Sequence, residues 1–350
     1  MRKVAAILMV VVLTMMSLVG CSKSSAVTGA KKADPITITD STGKTVTLVS
    51  LPQRIVVTNS DVAEVICALG GADKIVGASD NAKKEPLLAD KLKNAVSVGD
   101  WQKPSVEKIA ELKPDVVFGY ASYLDNAEQF KAANIPVVCL DCYKVDTLGK
   151  DITTLGQILN KEKEAGEYVG LMDKYLKIIE SGVKSLKPEQ KSLVYLESYS
   201  DYSTVAGKSG GNQMLNMAGA INIAGGESVD FPKISSEWLL SKNPQVVIKS
   251  VSSKVASGYG ETDEGMKKMS AQIISRTGWK EISAVKEGRV YILSSEIYTG
   301  PQVIVGIAYF AKWFNPQLFA DLDPEAIHKE ILTKFHGVKS EGAWVFPEGK

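Results

Sequence analysis

Histidine is nearly missing from this chain: His328 and His336 are the only two among 350 residues. The surrounding pattern places them on a surface helix and at its end. Two histidines are too few for a histidine-built zinc site or for a serine–histidine–aspartate triad supplied by loops. Nucleotide-binding loops are absent too, since neither G-x-x-x-x-G-K-[S/T] nor G-x-G-x-x-G occurs. Gly207-Lys208-Ser209-Gly210-Gly211 lacks the first glycine at the required spacing and reads as a loop before a helix. Cysteine is scarce, and the one C-x-x-C, Cys139 and Cys142, has no second pair with which to complete a zinc site. A disulfide and two inert buried thiols are both open for it, and no chemistry is assigned. Nor is there an excess of charge: 41 basic against 40 acidic groups give +1, and without Arg2 and Lys3 the balance is 39 against 40, or −1. Nucleic acid is therefore not an expected partner.

What is present is ample apolar sequence, 45% of the chain, enough for two ordinary cores. Arg2 and Lys3, the apolar run Val4 to Val12, and Leu18-Val19-Gly20-Cys21 describe an exported leader over residues 1–20, too short for a permanent span. The tetrapeptide resembles a bacterial lipobox, which implies lipid attachment at Cys21. Acyl chains there would hold the protein at the extracytoplasmic face of the cell membrane. Residues 21–34 are small and polar, as a flexible tether requires.

The rest alternates short apolar runs with helical patterns. Ile36 to Leu48 reads as a hairpin turning at Ser41-Thr42-Gly43-Lys44. Strands follow at Ile55–Thr58, Lys74–Ala78, Asp115–Gly119 and Pro136–Leu140, separated by helices at Ser60–Leu69, Pro104–Leu112 and Leu124–Ala133. The second half repeats the plan with strands at Ser192–Glu197, Gln245–Lys249 and Arg289–Leu293. Two helices, Pro301–Trp313 and Pro324–Phe335, close the chain. Between the halves, Glu162 to Leu186 carries Ala165, Val169, Met172, Leu176, Ile179, Val183 and Leu186 on one stripe, a helix of roughly 37 Å. The fold expected is α/β: two Rossmann-like lobes with mostly parallel sheets, residues 35–159 and 189–350, joined by one long α-helix in 160–188. Without a glycine pair or internal proline that helix should permit only modest lobe movement.

Ligands of open α/β sheets sit beyond the carboxyl ends of the strands. Trp101, Tyr120, Tyr123, Tyr199, Tyr202, Phe231, Tyr259 and Tyr298 recur in that position. A faint internal repeat adds two carboxylates. Glu107 precedes Lys113-Pro114-Asp115-Val116-Val117, and Glu237 precedes Asn243-Pro244-Gln245-Val246-Val247, each near a helix start.

These features resemble the substrate-binding proteins of bacterial ABC importers, in the class that takes up ferric siderophores, haem and vitamin B12. The residues that carry the likeness are the hairpin with Pro52-Gln53-Arg54-Ile55-Val56, then Glu107-Lys108-Ile109 with Leu112 to Val117, then Glu237 with Asn243-Pro244. The resemblance implies two lobes on one long helix, docking of Glu107 and Glu237 on the membrane permease, and capture of a bulky metal chelate between the lobes. Trp101, Tyr120 and Phe231 match positions where corrinoid-binding members present aromatic rings, and Tyr199, Tyr202 and Tyr298 complete the expected ligand-binding set. Anionic siderophores call for arginines, and beyond the leader only Arg54, Arg276 and Arg289 exist. A neutral ferric hydroxamate and a corrinoid are thus the expected ligands. Receptors for haem or for an oxyanion such as molybdate are the alternatives on the same fold. The expectation is a monomer with no resident cofactor, no metal of its own and no enzymatic activity, since no acid, base or metal set can be assembled.

Overall fold

The computed structural model describes residues 35–120, 127–252 and 254–347. The leader, the tether with Cys21, and Tyr123 lie outside the described residues. The hairpin pairs β1 (Ile36–Thr39) with β2 (Thr45–Leu48), Ile36 opposite Leu48. Asp40 closes its turn by accepting from the Thr42 and Lys44 amides.

The first lobe holds five parallel strands: β3 (Ile55–Val57), β4 (Ile75–Ala78), β5 (Val96–Ser97), β6 (Val116–Gly119) and β7 (Val137–Cys139), in the order β5-β4-β3-β6-β7. The second repeats the plan with β8 (Leu193–Glu197), β9 (Ile221–Asn222), β10 (Val246–Val251), a short β11 (Gly258–Tyr259) outside the sheet, and β12 (Val290–Ser294). The chain does not end in two helices as expected. After the helix Pro324–Ile331 and a π-helical turn, β13 (Gly342–Ala343) pairs with β11 and β14 (Val345–Phe346) joins the second sheet antiparallel to β12, giving β14-β12-β10-β8-β9.

Side-chain alternation assigns the two faces of each strand. Ile55, Val57, Val116 and Phe118 of the first sheet, and Val194, Leu196, Ile248 and Leu293 of the second, belong to one continuous apolar core. The opposite faces, with Val56 and Val117 in one lobe and Tyr195, Val247 and Ile292 in the other, pack in separate smaller clusters. Strands buried on both faces are what continuous valine and isoleucine runs encode.

The long helix spans Glu162–Val183, 22 residues and about 33 Å. Asn160 turns left-handed (φ 55°) to end the helix Val145–Leu159 before it. Its buried stripe includes Tyr168 and Leu171 beside Ala165, Met172 and Ile179. Tyr168 donates from its hydroxyl to the Pro301 carbonyl, 3.2 Å away, which joins the helix to the second lobe. The helix Val303–Phe314 is buried on nearly every side, as expected for a run with one charge, Lys312.

The internal repeat is visible in the backbone. Lys113 (φ 47°) and Asn243 (φ 43°) both adopt the left-handed conformation before their prolines. Each ends a short helix, Val106–Glu111 or Ser236–Lys242, whose first turn is capped by Ser105 or Ser235. Pro104 lies ahead of the cap rather than in the first turn, and bridges back to Gly99.

A β-carbon at Gly156 would sit 2.6 Å from that of Ala165 and 3.2 Å from the Lys161 carbonyl, so glycine permits the close approach of the two central helices. Gly156→Val should therefore lower stability by about 1–3 kcal/mol through overpacking. Gly166 faces open space, and Gly166→Ala should raise stability by about 0.5–1 kcal/mol. Urea denaturation midpoints of the two variants check both signs; a neutral Gly156→Val would show that this approach does not constrain the fold.

Candidate functional site

The carboxyl ends of β3, β6, β8, β10 and β12 face one another across the gap between the lobes. There they enclose a chamber of about 300 Å³. The residues after β3 begin the helix Ser60–Ala68, whose cap Asn59 accepts from the Asp61 and Val62 amides. Asp61 and Glu64, three apart on one helical face, both line the chamber. Glu85 joins them from the first lobe and Glu296 from the second, immediately after β12. Tyr120 and Tyr199 supply the rings, following β6 and β8, with the hydroxyls of Ser60, Ser252, Ser295 and Thr299 between them. Among the described residues no lysine or arginine lines it.

Four carboxyl groups in one enclosure cannot all ionise at low cost. Burial pushes the Asp61 carboxyl up to about 7, against the hydrogen bond from the Tyr120 hydroxyl (2.8 Å) and with help from Glu85 and Asp141. Burial and then the neighbouring Asp61 push Glu64 up to about 8, although Gln302 donates to it at 2.9 Å. Burial likewise raises Glu85, and raises Glu296 to about 7. Glu296 accepts from the Trp344 indole at 2.7 Å and from the Tyr259 amide. Across the gap, Gly300 (φ 77°) lies so close to Asp61 that a β-carbon would meet its Oδ1 at 2.8 Å. Among the described residues no three histidine, cysteine, aspartate or glutamate side chains converge as a metal site, so these carboxyls form a wall rather than a coordination sphere.

The two histidines do not lie on the surface as the sequence pattern suggested. His328 packs edge-on against Trp344 (4.3 Å) and donates from Nε2 to Gln302 Oε1 at 2.7 Å; the same Gln302 reaches Glu64. His336 Nε2 stands 3.6 Å from Glu64 Oε1. Burial pushes both imidazoles down to about 3, so both are neutral beneath the chamber. His328 is covered by Trp344 of the returning C-terminal segment and His336 faces Glu64 of the helix Ser60–Ala68, contacts that no local pattern announces.

The six aromatic candidates separate. Tyr120 and Tyr199 line the chamber, and Trp101 meets the edge of Tyr120, ring centres 5.3 Å apart. Tyr199, Phe231 and Tyr298 line an adjoining apolar cavity. Tyr202 lies elsewhere, its ring against Trp279 and under the Arg276 guanidinium at 4.9 Å. Arg276 forks onto Glu197 (2.9 and 3.0 Å) and reaches Asp201 at 2.8 Å, while buried Lys249 lies 3.1 Å from Glu197. Burial works against a charged Glu197, but Arg276 and Lys249 outweigh it and hold the carboxyl below its usual range. The network ties down the loop after β8 that carries Tyr199. Arg54 and Arg289 are committed to backbone carbonyls of Leu112 and Trp313. Cys67, Cys139 and Cys142 are free and buried, which decides against a disulfide.

Sequence reasoning missed Asp61, Glu64, Glu85, Glu296 and Gln302. Asp61 has a local reason to be there, as the acid of a first helical turn, and only its position just after a buried parallel strand points further. Glu296, two residues past β12, carried the same signal.

Glu107 and Glu237 are exposed and occupy the same second position of their short helices, one in each lobe. Each helix runs back antiparallel to the strand after it, so both first turns stand at the strand edge that bounds the cleft.

Comparison with known proteins accords with this geometry. Residues 55–297 match the periplasmic binding protein family. An ABC transporter substrate-binding lipoprotein of Bacillus subtilis is 29% identical over 335 residues, covering 92% of this chain and 100% of its own. The molybdate-binding protein MolA of Haemophilus influenzae is 26% identical, covering 91% of this chain and 95% of its own. The crystal structure of the TroA-like periplasmic binding protein FepB of Veillonella parvula superposes with a TM-score of 0.77 at 26% identity, covering 89% and 99% of the two chains. These relatives bind solutes and are not described as enzymes. The chain therefore belongs to the periplasmic binding protein family, as the substrate-binding protein of an ABC importer.

Proposed function

We propose that this protein is anchored by a lipid on Cys21 at the extracytoplasmic face of the membrane. There it captures a metal chelate without net negative charge, of the ferric hydroxamate or corrinoid kind, for delivery to the permease. The observation that carries the ligand class is the chamber wall, with four carboxyl groups and no basic side chain among the described residues. Such a wall repels a catecholate siderophore and attracts a neutral or cationic complex. Its volume is at the lower end for small-molecule sites, so a large chelate sits with part of its surface outside. Tyr120 and Tyr199 offer faces and hydroxyls at low entropic cost.

A second reading is an oxyanion receptor, favoured by the hydroxyls of Ser60, Ser252, Ser295 and Thr299 and by the likeness to MolA. Protonated carboxyls could donate to an oxyanion, so the two readings predict opposite responses to pH. Asp61, Glu64 and Glu296 ionise through about 7 to 8. Affinity for a cationic chelate should therefore rise from pH 6 to pH 8.5, whereas affinity for molybdate should fall. Calorimetric titration with cobalamin, a ferric trihydroxamate, haem and molybdate at both pH values distinguishes them. Tight binding of molybdate alone would overturn the chelate reading.

The same carboxyls set the stability of the ligand-free protein. Their folded-state values stand above the unfolded ones, so their contribution is complete below about 4 and is lost as pH rises through 7 to 8. Replacing Asp61, Glu64 and Glu296 by Asn, Gln and Gln should flatten that decline in melting temperature between pH 5 and pH 8.5. An unchanged slope would mean that other groups set it.

Glu107 and Glu237 are proposed as the permease contacts, one from each lobe at the cleft edge. Neither makes an ion pair with a described residue. The double variant Glu107→Ala, Glu237→Ala should lose transport in a reconstituted importer while its ligand affinity stays within about twofold. A parallel loss of affinity would refute the docking role.

A further inference from the structure

Beside the acidic chamber, and sharing Tyr199 and Thr299 with it, lies a second cavity of about 140 Å³. Tyr143 and Val145 of the first lobe line it, with Met214, Phe231, Tyr298 and Val303 of the second, and among the described residues no charged side chain does. Its back wall depends on a glycine: a β-carbon at Gly211 would fall 2.5 Å from the Tyr298 hydroxyl and 2.9 Å from Val205. Of the residues that line it, Phe231 is 58% exposed and Tyr199 46%. Single exposed apolar side chains are ordinary. These two line one apolar cavity, and the segment of Phe231 is held in place by its neighbours. The Ala206 amide donates to the Asp230 carbonyl, the Thr204 amide to the Pro232 carbonyl, and the Lys208 amide to the Asp230 carboxylate. Phe231 is thus held out by its own backbone.

Cavities of about 150 Å³ lined by apolar side chains stay dry and accept benzene. We propose that this annex is a second subsite of the ligand site, seating a compact apolar group, a phenyl ring or a short branched alkyl, carried by the solute whose polar part occupies the acidic chamber. It rests on the cleft being the ligand site. The shared residues Tyr199 and Thr299 set the two spaces side by side, and the change from a carboxyl wall to an apolar one makes the solute they suit amphipathic. Neither chamber alone selects for such a molecule; the pair does.

Two measurements test it. In protein carrying ¹³C-methyl methionine, benzene should shift the Met214 methyl resonance, assigned by its loss in Met214→Leu. No shift up to the solubility limit of benzene would overturn the subsite, whatever the chelates do. Next, two ferric trihydroxamates that differ only in an acetyl or a benzoyl end group are titrated. The benzoyl form should bind about tenfold more tightly, and the preference should drop below threefold in Phe231→Ala, an exposed position at which folding is not at stake. Equal affinities in the unaltered protein would overturn the inference. If benzene shifts Met214 while neither trihydroxamate binds, the annex is supported and the hydroxamate identity of the ligand is refuted.

Discussion

Everything in this molecule follows from one packing constraint: both sheets turn an apolar face into the same core. Ile55, Val57, Val116 and Phe118 meet that core from one side, and Val194, Leu196, Ile248 and Leu293 from the other. Between them the helices Glu162–Val183 and Val303–Phe314 fill the remaining volume. Lobes that share a core cannot swing apart without exposing it, at a cost of about 25 cal/mol for each Å² of apolar surface. The strand ends consequently meet at a fixed separation, and the chamber between them exists before any ligand arrives.

That constraint also explains which parts of the molecule could be read from the chain. Periodicity reports which face of an element is buried, so the hairpin, the parallel strands and the long helix were all legible. The left-handed Lys113 and Asn243 show that even the faint repeat had a conformational basis, since each halts a helix before a proline. Burial imposed from far along the chain was not legible. His328 and His336 lie on a helix and turn that look like surface, yet Trp344, brought back by β14, packs on the first and Glu64 faces the second. Tyr202 looked like a cleft residue because it follows a strand, yet Arg276, distant in sequence, draws it under the second lobe.

The candidate site was the least legible part, because it is made of residues that local rules had already used up. Asp61 satisfies the preference for an acid in a first helical turn, and Glu64 reads as an ordinary helical glutamate. Neither shows in isolation that Glu85 and Glu296 will face it. Aromatic residues were easier to notice than carboxylates for the opposite reason: few local roles compete for a tyrosine after a strand. Tyr120 and Tyr199 were found that way, while Tyr143, after the C-x-x-C, was not.

The scaffold that carries the acidic chamber is itself rich in compensated charge. Glu197 and Lys249 are buried and Arg276 half-buried, yet all three are satisfied by one another and by nearby backbone groups. The chamber carboxyls are instead held by neutral donors, Tyr120, Gln302, Trp344 and the Tyr259 amide, and among the described residues by no lysine or arginine ion pair. A neutral donor stabilises a carboxylate less than an ion pair does, so the chamber keeps its carboxyls near their titration point. Pairing those groups with an arginine would have made the lobes more stable and the chamber indifferent to charge. Leaving them unpaired keeps the chamber responsive to charge, and the shared core tolerates this because it does not depend on the cleft to hold the lobes together.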